Sequence, residues 1–307
     1  MTLRRPPMVA VLVLGVGVML APAIFSMFSR APMGRDMIDD FRPYMTAEQI
    51  SLFEGFLDTI GAADAETAGT LDDAPAALET LHERWPIIDD DMGTMLSVMG
   101  DNIDNFEAVD ALPPFDLFPW FFVAPGLMIT VVAAIGLARD DRRAIITAGV
   151  IGVGLIAAPA IFQMFSRAPL GGDMINDFRP YMTTEKVTSV QGYFIDLGAA
   201  EGALRTGVRA GAESTAALPA SEAFISDWPR IANEMAPMVG VMADNVDNFA
   251  AVDALPPFPM FPWFFVIPGV MVAAAAGSAV RGDRRRHDGD GEIDLARPRS
   301  QLVEEPT

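Results

Sequence analysis

Aspartate and asparagine recur in two matching clusters, and their spacing is compatible with cation binding. In the first cluster, Asp101, Asp104 and Asn105 occupy positions i, i+3 and i+4, which share one face of a helix. Carboxylate and amide oxygens on a common face are the hard ligands that a divalent cation prefers. The second cluster has the same composition and consists of Asp244, Asp247 and Asn248. We interpret both clusters as either a cation or partner contact or the solvated face of a helix.

Methionines at helical spacing form a second candidate site. They occur in two amphipathic stretches, mixed with leucine, isoleucine, valine and phenylalanine. Such a stripe usually forms core, but because methionine is unbranched and polarisable it can also form an adaptable surface for a lipid or a partner. Thioethers also suit Cu(I), although the aliphatic neighbours argue against a copper site. The methionines of these stretches are Met92, Met95, Met99, Met235, Met238 and Met242.

Two arginines, Arg42 and Arg179, stand in identical FRPYM motifs and have aspartates close by in the sequence. We expect each arginine either to pair with an aspartate or to contact a lipid head group or a partner. The chain has no cysteine, and it contains no phosphate-binding loop, nucleophile elbow or metalloprotease motif. We therefore expect a non-enzymatic protein without a catalytic residue, a cofactor or a metal centre.

The elements that carry these residues are joined to four apolar blocks. The chain is 51% hydrophobic and only 20% charged, and each block lacks Asp, Glu, Lys, Arg and His. About 20 apolar residues in a helix are enough to cross the hydrocarbon core of a bilayer. We therefore predict membrane-spanning helices over residues 8–29, 117–138, 144–166 and 260–280.

Basic and aromatic residues predict the orientation of these helices. Basic clusters lie at residues 4–5, 139–143 and 281–286, all on one side of the membrane if the chain crosses it four times. Positive residues mark the cytoplasmic side, and aromatic residues mark the membrane interface. We therefore expect both termini in the cytoplasm. Trp120 and Trp263, with the phenylalanines beside them, would form an aromatic belt that anchors the outer interface.

The sequence contains an internal duplication. Residues 21–32 recur at 158–169 with eleven of twelve residues identical. Residues 101–126 recur at 244–269 with 21 of 26 residues identical. The first pair of segments is 137 residues apart and the second pair is 143 residues apart, so a short insertion separates them. We call two residues corresponding when one of these offsets relates them.

The duplication predicts two tandem, parallel repeats, residues 1–143 (the first half) and 144–280 (the second half), related by a pseudo-twofold axis along the membrane normal. Each half would place one helical extracytoplasmic domain between its two membrane helices, over residues 30–116 and 167–259. Residues 281–307 are polar and alternate in charge, which predicts a disordered cytoplasmic tail. The predicted fold class is therefore an all-α membrane protein with four transmembrane helices.

Charge and composition narrow the function. The net charge of −20 argues against binding nucleic acid, which requires basic patches. Lys186 is the only lysine beside 20 arginines, which is typical of a bacterium with a GC-rich genome, so we expect a bacterial plasma membrane. The leading hypothesis is that two acidic helical domains bind an envelope protein or assist a transport complex. The alternative is a carrier of lipid or another hydrophobic substrate, and the oligomeric state stays open.

Overall fold

The computed structural model describes residues 5–68, 75–139, 141–210 and 218–294. Every long element within these residues is a helix, which confirms the all-α prediction. The first six helices are α1 (Arg5–Ile24), α2 (Met27–Phe41), α3 (Ala47–Thr67), α4 (Ala76–Asp101), α5 (Ile103–Asp110) and α6 (Phe118–Arg139). The other six are α7 (Arg142–Ile161), α8 (Met164–Phe178), α9 (Thr184–Ala210), α10 (Pro219–Asp244), α11 (Val246–Asp253) and α12 (Phe261–Asp294).

The helices cluster into two compact units, and each unit contains helices from both halves of the chain. The apolar unit consists of α1, α6, α7 and α12, and the polar unit consists of α2–α5 and α8–α11. Because the chain passes repeatedly from one unit to the other, neither unit is a continuous stretch of sequence.

Four helices are long and apolar enough to cross a membrane, as the sequence predicts. The apolar stretches are Pro6–Ile24, Phe115–Arg139, Arg143–Ile161 and Phe258–Arg281. The second and fourth stretches begin and end within a few residues of the expected bounds. The first and third are shorter at their carboxyl ends than the sequence indicates.

A tight turn with a left-handed residue follows α1 and also α7. Ser26 has a φ of 54° and Gln163 a φ of 53°, values that are uncommon for residues other than glycine. A left-handed residue ends a helix because it turns the following amide away from the helical ladder. The apolar runs 8–29 and 144–166 therefore do not form single helices, and their last residues begin α2 and α8.

In the apolar unit, the helices pack in the order α1, α6, α7 and α12, and α12 also packs against α1. The backbones of α1 and α6 approach closely at Gly126, where a Cβ atom would lie 2.6 Å from the backbone N of Met19. The corresponding Gly269 lies in the contact between α7 and α12, where a Cβ atom would lie 2.7 Å from the carbonyl O of Gly152. Small residues permit such close helix contacts in lipid.

In the polar unit, α3, α4, α9 and α10 pack around a common core, with α2 packed on α11. Phe53, Ile60, Ile88 and Ile231 are among the core side chains and are 0% exposed. The two halves interleave, because α3 packs against α10 and α4 packs against α9. The polar unit is therefore held together by contacts between residues that are far apart in the sequence.

The end of α12 differs from the expectation. The helix continues to Asp294, whereas the charge pattern predicts disorder from residue 281 onward. A helix that has already nucleated extends by one hydrogen bond for each residue that it orders, so a polar segment can continue it. The predicted disorder of residues 295–307 lies outside the described residues.

Candidate functional site

An apolar pocket in the polar unit is the strongest candidate for a binding site. Its cavity volume is about 40 Å³. The lining residues are Met37, Ile38, Phe41, Met45, Phe106, Met174, Ile175, Phe178, Met182 and Phe249. They form five pairs of identical residues at corresponding positions, four pairs at the offset of 137 and one at the offset of 143. The pocket is therefore lined by the same residue types from the two halves.

Helices α2 and α8 supply most of this lining. On α2, Met37, Ile38 and Phe41 lie at positions i, i+1 and i+4, on one side of the helix. The helix ends at Phe41, because Pro43 two residues later cannot continue it. The backbone N of Met45 donates a hydrogen bond to the carbonyl O of Phe41 over 3.1 Å, and Met45 is only 5% exposed. The turn after α8 has the corresponding hydrogen bond, over 3.0 Å.

Two buried asparagines join the halves on the elements that line the pocket. Asn102, between α4 and α5, is 1% exposed, and its Nδ2 donates a hydrogen bond to Oδ2 of Asp177 over 3.0 Å. Asn245, between α10 and α11, is 0% exposed and donates to Oδ2 of Asp40 over 3.0 Å. Since Asp40 is on α2 and Asp177 on α8, these bonds hold α2 and α8 against the opposite half.

The predicted aspartate clusters lie beside these asparagines. Asn105 and Asn248 each donate a hydrogen bond over 2.9 Å to Oδ1 of the buried asparagine three residues earlier. The four aspartates of the clusters are exposed: Asp101, Asp104, Asp244 and Asp247. In the part of the chain that the structure describes, no group of three or more His, Cys, Asp or Glu residues is placed to hold a metal ion. These positions fit a solvated helix face, and a contact with a cation or partner stays a prediction.

The predicted methionine stripes lie in the interior of the polar unit, which corrects their interpretation as a surface for lipid or a partner. All six side chains are at most 4% exposed: Met92, Met95, Met99, Met235, Met238 and Met242. The reason is that α3 and α9 pack against both α4 and α10 and cover their apolar faces. A different set of methionines, on and after α2 and α8, lines the pocket.

Arg42 and Arg179 pair with aspartates at the ends of α5 and α11. Arg42 donates through Nε and Nη2 to Asp110 over 3.1 and 2.6 Å, and Arg179 donates in the same way to Asp253 over 3.2 and 2.6 Å. Hydrogen bonds to Asp110 and then Asp39 raise the pKa of Arg42, and the bond to Asp253 raises the pKa of Arg179. The arginines thus form ion pairs, as one interpretation expected, but Asp110 and Asp253 are 68 and 74 residues away and are not the aspartates close by in the sequence.

A second cleft, with a cavity volume of about 220 Å³, is lined by Arg35, Arg42 and Asp110 together with apolar residues. Arg35 donates through Nε to Oδ2 of Asp39 over 2.6 Å, and Nη2 of Arg42 lies 2.7 Å from the other carboxylate oxygen. Hydrogen bonds from Arg35 and then Arg42 hold the pKa of Asp39 below its usual value. Ile38 lines both this cleft and the apolar pocket, so the two cavities are adjacent.

The aromatic residues of the apolar unit fall into two groups. Trp120 and Trp263 are 56% and 52% exposed, which suits the predicted interface anchors. The phenylalanines expected in the same belt are largely internal. Phe122 and Phe265 are 2% and 4% exposed, and their rings stack with centroids 4.5 Å apart. Their role is therefore helix packing, because stacking removes both rings from contact with lipid.

The sequence did not single out the pocket residues or the buried asparagines, although a signal was present. Phe41 and Met45 belong to the recurring FRPYM motif, and Asn102 and Phe106 belong to the recurring segment 101–126. Recurrence marked these segments as important, but it did not indicate that they meet in space. That contact depends on how the two halves interleave.

The fold and the pocket define an all-helical protein with four helices suited to a membrane and a polar helical unit that contains an apolar pocket. No family model matches the chain, and no curated protein matches it. The geometry of the polar unit is therefore the ground for proposing a function.

Proposed function

We propose that this chain is a non-enzymatic protein of a bacterial plasma membrane whose polar unit binds the hydrocarbon chain of a lipid or a similar apolar ligand. The apolar pocket is the observation that supports this proposal. Sites for small molecules are typically lined by apolar side chains. Four of the lining residues are methionines, whose flexible side chains can adapt to apolar ligands of different shape.

The chemistry of the lining favours hydrocarbon over a polar ligand. The lining side chains carry no hydrogen-bond donor, and their only acceptors are weak thioether sulfurs, so a polar ligand would lose its bonds to water without adequate replacement. A hydrocarbon chain instead gains about 0.8 kcal/mol for each CH₂ group that it buries. The surrounding sequence is strongly acidic, with 4 basic and 20 acidic residues over 30–117, so the pocket is an apolar site in a charged unit.

The proposed orientation puts the polar unit outside the cytoplasm. The basic clusters near the ends of the apolar stretches support this orientation, because positive residues stay in the cytoplasm. The duplication supports a common side of the membrane for both halves of the polar unit, since two halves that each cross twice have the same direction. Both termini would then be cytoplasmic.

Cysteine labelling tests this orientation, because the natural chain has no cysteine. Glu54→Cys and Gln191→Cys introduce thiols at corresponding exposed positions of the polar unit, and Arg143→Cys introduces one at the exposed start of α7. A membrane-impermeant maleimide added to intact cells should label the first two variants and should label the third only after lysis. The opposite pattern would overturn the proposed orientation.

Photolabelling tests ligand binding. The full-length protein in lipid nanodiscs is irradiated with a long-chain alcohol that carries a diazirine, and labelled peptides are mapped by mass spectrometry. Labelling should concentrate on α2, α5, α8 and α11, which line the pocket. The double substitution Met45→Phe and Met182→Phe should reduce it by filling the pocket. Ile87→Phe, at a position that is 58% exposed on α4, is the matched control and should leave labelling unchanged.

Two results would contradict the proposed binding. One is labelling spread over the surface of the polar unit without concentration at the pocket. The other is labelling that the filled variant and the Ile87→Phe control share to the same extent. The unfolding midpoint of each variant shows whether a reduced signal reflects a filled pocket or an unfolded protein.

A second candidate function is the leading hypothesis from the sequence, in which the polar unit binds an envelope protein or a transport complex. The observation that favours it is the exposure of Asp101 and Asp104 and of their corresponding residues. Crosslinking in intact cells should capture a reproducible partner, and Asp101→Asn with Asp104→Asn should weaken that capture. An identical set of crosslinked proteins from the variant would argue against these aspartates as the contact.

A further inference from the structure

We infer that the ligand of the pocket is an amphiphile whose anionic group is held by Arg35 and Arg42 in the adjacent cleft. This inference rests on the proposed function, because it names the chemical class of the ligand: one hydrocarbon chain with a carboxylate or phosphate head group. The cleft and the pocket share Ile38 as a common wall. A head group in the cleft is therefore close to a chain in the pocket.

Both arginines keep N–H groups for such a head group. A guanidinium has five N–H donors. Among the contacts of the described residues, Arg35 uses Nε toward Asp39, and Arg42 uses Nε and Nη2 toward Asp110 and Asp39. The two Nη atoms of Arg35 and Nη1 of Arg42 are left for a ligand. Guanidinium N–H groups bind carboxylate and phosphate in pairs, which gives both strength and direction.

The aspartates in this cluster orient the arginines. Asp39 binds both guanidinium groups, and Asp110 binds Arg42 through two hydrogen bonds. The side chains of Arg35 and Arg42 remain 41% and 48% exposed, so an incoming ligand can reach them. The arginines are thus held in position before the ligand arrives, which lowers the entropic cost of binding.

The carboxylates of Asp39 and Asp110 balance the charges of Arg35 and Arg42, so the cleft is close to neutral within an acidic segment. Its charged lining residues are Arg35, Arg42 and Asp110, two basic and one acidic. Residues 30–117 as a whole contain 4 basic and 20 acidic residues. An anionic head group is repelled by most of this segment and less so by the cleft, so the cleft is a more favourable position for it, and the hydrogen bonds from the free guanidinium N–H groups would hold it there.

The second half does not repeat the arrangement. Arg42 corresponds to Arg179, but Arg35 corresponds to Gly172, so only one arginine is present there. The pocket is symmetric in residue type, whereas the head-group site is not. We therefore expect one ligand for each protein molecule. It would bind in a single direction, with its head group toward the first half.

The test compares three photoreactive probes on the full-length protein in nanodiscs. The probes share one diazirine-bearing chain and end in a carboxylate, a phosphate or an uncharged hydroxyl. At equal concentration, at least one anionic probe should label the pocket-lining helices about tenfold more than the alcohol, since hydrogen bonds to charged groups are strong. A preference for the carboxylate would indicate a fatty acid, and a preference for the phosphate would indicate a phospholipid.

Substitutions of arginine then test whether the preference for anionic probes over the alcohol arises in the cleft. Arg35→Gln should reduce the anionic preference to about one without removing labelling by the alcohol. Arg179→Gln is the matched control, because it removes an arginine of the same motif in the half that lacks a second one. It should leave the preference intact, and an equal loss in both variants would contradict the single direction of binding.

The outcomes separate the two proposals. Equal labelling of the pocket by all three probes overturns the anionic ligand but leaves the apolar pocket as a binding site. Labelling of the pocket by none of them overturns the proposed function itself. If Arg35→Gln impairs folding, competition between unlabelled ligands and the carboxylate probe on the unaltered protein tests whether an anionic group is preferred. Unlabelled palmitate should then displace the carboxylate probe at a concentration about tenfold lower than hexadecanol does.

Discussion

Asn102 donates a hydrogen bond over 3.0 Å to Asp177, a residue of the other half of the chain. The same bond joins Asn245 to Asp40. Each asparagine also donates to the carbonyl O four residues before it, over 3.0 Å. Both asparagines lie at the break between two helices, at φ values of −102° and −100°. One residue type therefore closes the break and links the halves.

Replacing a buried asparagine should destabilise the polar unit. Asn102→Leu removes the bond to Asp177. It also removes the side-chain bonds that Asn102 makes with the carbonyl O of Val98 and with Nδ2 of Asn105. We expect the free energy of unfolding to fall by about 1–3 kcal/mol, because unsatisfied buried polar groups are costly. Urea unfolding followed by tryptophan fluorescence measures the change. Asp104→Asn, at an exposed position, is the control, and equal stability of both variants would contradict this role.

Close helix contacts in the apolar unit should not tolerate an added methyl group. Gly126→Ala places a Cβ atom 2.6 Å from the backbone N of Met19 and forces α1 away from α6. We expect a loss of about 1–3 kcal/mol, the usual cost of overpacking. Thermal unfolding in detergent gives the measurement. At Gly17, on the neighbouring helix α1, a Cβ atom meets nothing within 4 Å, so Gly17→Ala is the control and should not lower the midpoint of the natural protein.

Acid should weaken a contact between the halves at Glu66. Its carboxylate accepts hydrogen bonds over 2.8 Å from the backbone N and the hydroxyl of Ser221, and over 3.2 Å from the backbone N of Ala220. Burial alone would raise the pKa of Glu66, but these bonds outweigh burial and lower it. The contribution to stability is therefore complete above the unfolded pKa of about 4.3 and is lost as the pH falls through the lower folded value.

The test for Glu66 compares the free energy of unfolding of Glu66→Gln with that of the natural chain at several pH values. At pH 7, Glu66→Gln should be less stable than the natural chain by about 1 kcal/mol. As the pH falls below the lowered folded pKa of Glu66, the difference should shrink, because the carboxyl group is then protonated in both folded and unfolded chains. Glu79→Gln, on the exposed surface of α4, is the control and should keep the stability of the natural chain at pH 7. A constant difference for Glu66→Gln would show that the charge of Glu66 is not the cause.

Tyr193 should ionise at unusually high pH. Burial, followed by its hydrogen bond to Asp91, raises the pKa of Tyr193 to about 12. Absorbance titration near 295 nm should show one tyrosine that ionises near this value, and Tyr193→Phe should remove that component. Because the raised pKa favours the neutral phenol in the folded state, its contribution to stability persists below pH 10 and is lost toward pH 12.

Asp91→Asn separates the two causes of the raised pKa of Tyr193, burial and the hydrogen bond to Asp91. Without the carboxylate, the pKa of Tyr193 should fall but stay above 10, because burial remains the larger cause. Lys186 also binds Asp91 over 2.7 Å, so this substitution should destabilise the contact between α4 and α9. Tyr181→Phe is the control and should leave the high-pH component intact. Loss of that component in the control would assign it to the wrong tyrosine.

Much of the architecture followed from the order of residue types along the chain. Four apolar blocks of about 20 residues predicted the four helices suited to a membrane, because such a run cannot be solvated by water. Helical spacing of apolar residues predicted α-helices throughout, which the fold confirms. These properties are local, so neighbouring residues suffice to determine them.

The tertiary structure alone decided which surfaces meet. Spacing indicated that Met92 and Met95 share an apolar face, but only the packing of α3 and α9 showed that this face is covered. Likewise, Met37 and Met174 are 137 residues apart, and no local pattern indicates that both line one pocket. The physical reason is that periodicity determines which side of a helix avoids water, whereas the identity of the surface that covers it depends on the packing of the whole chain.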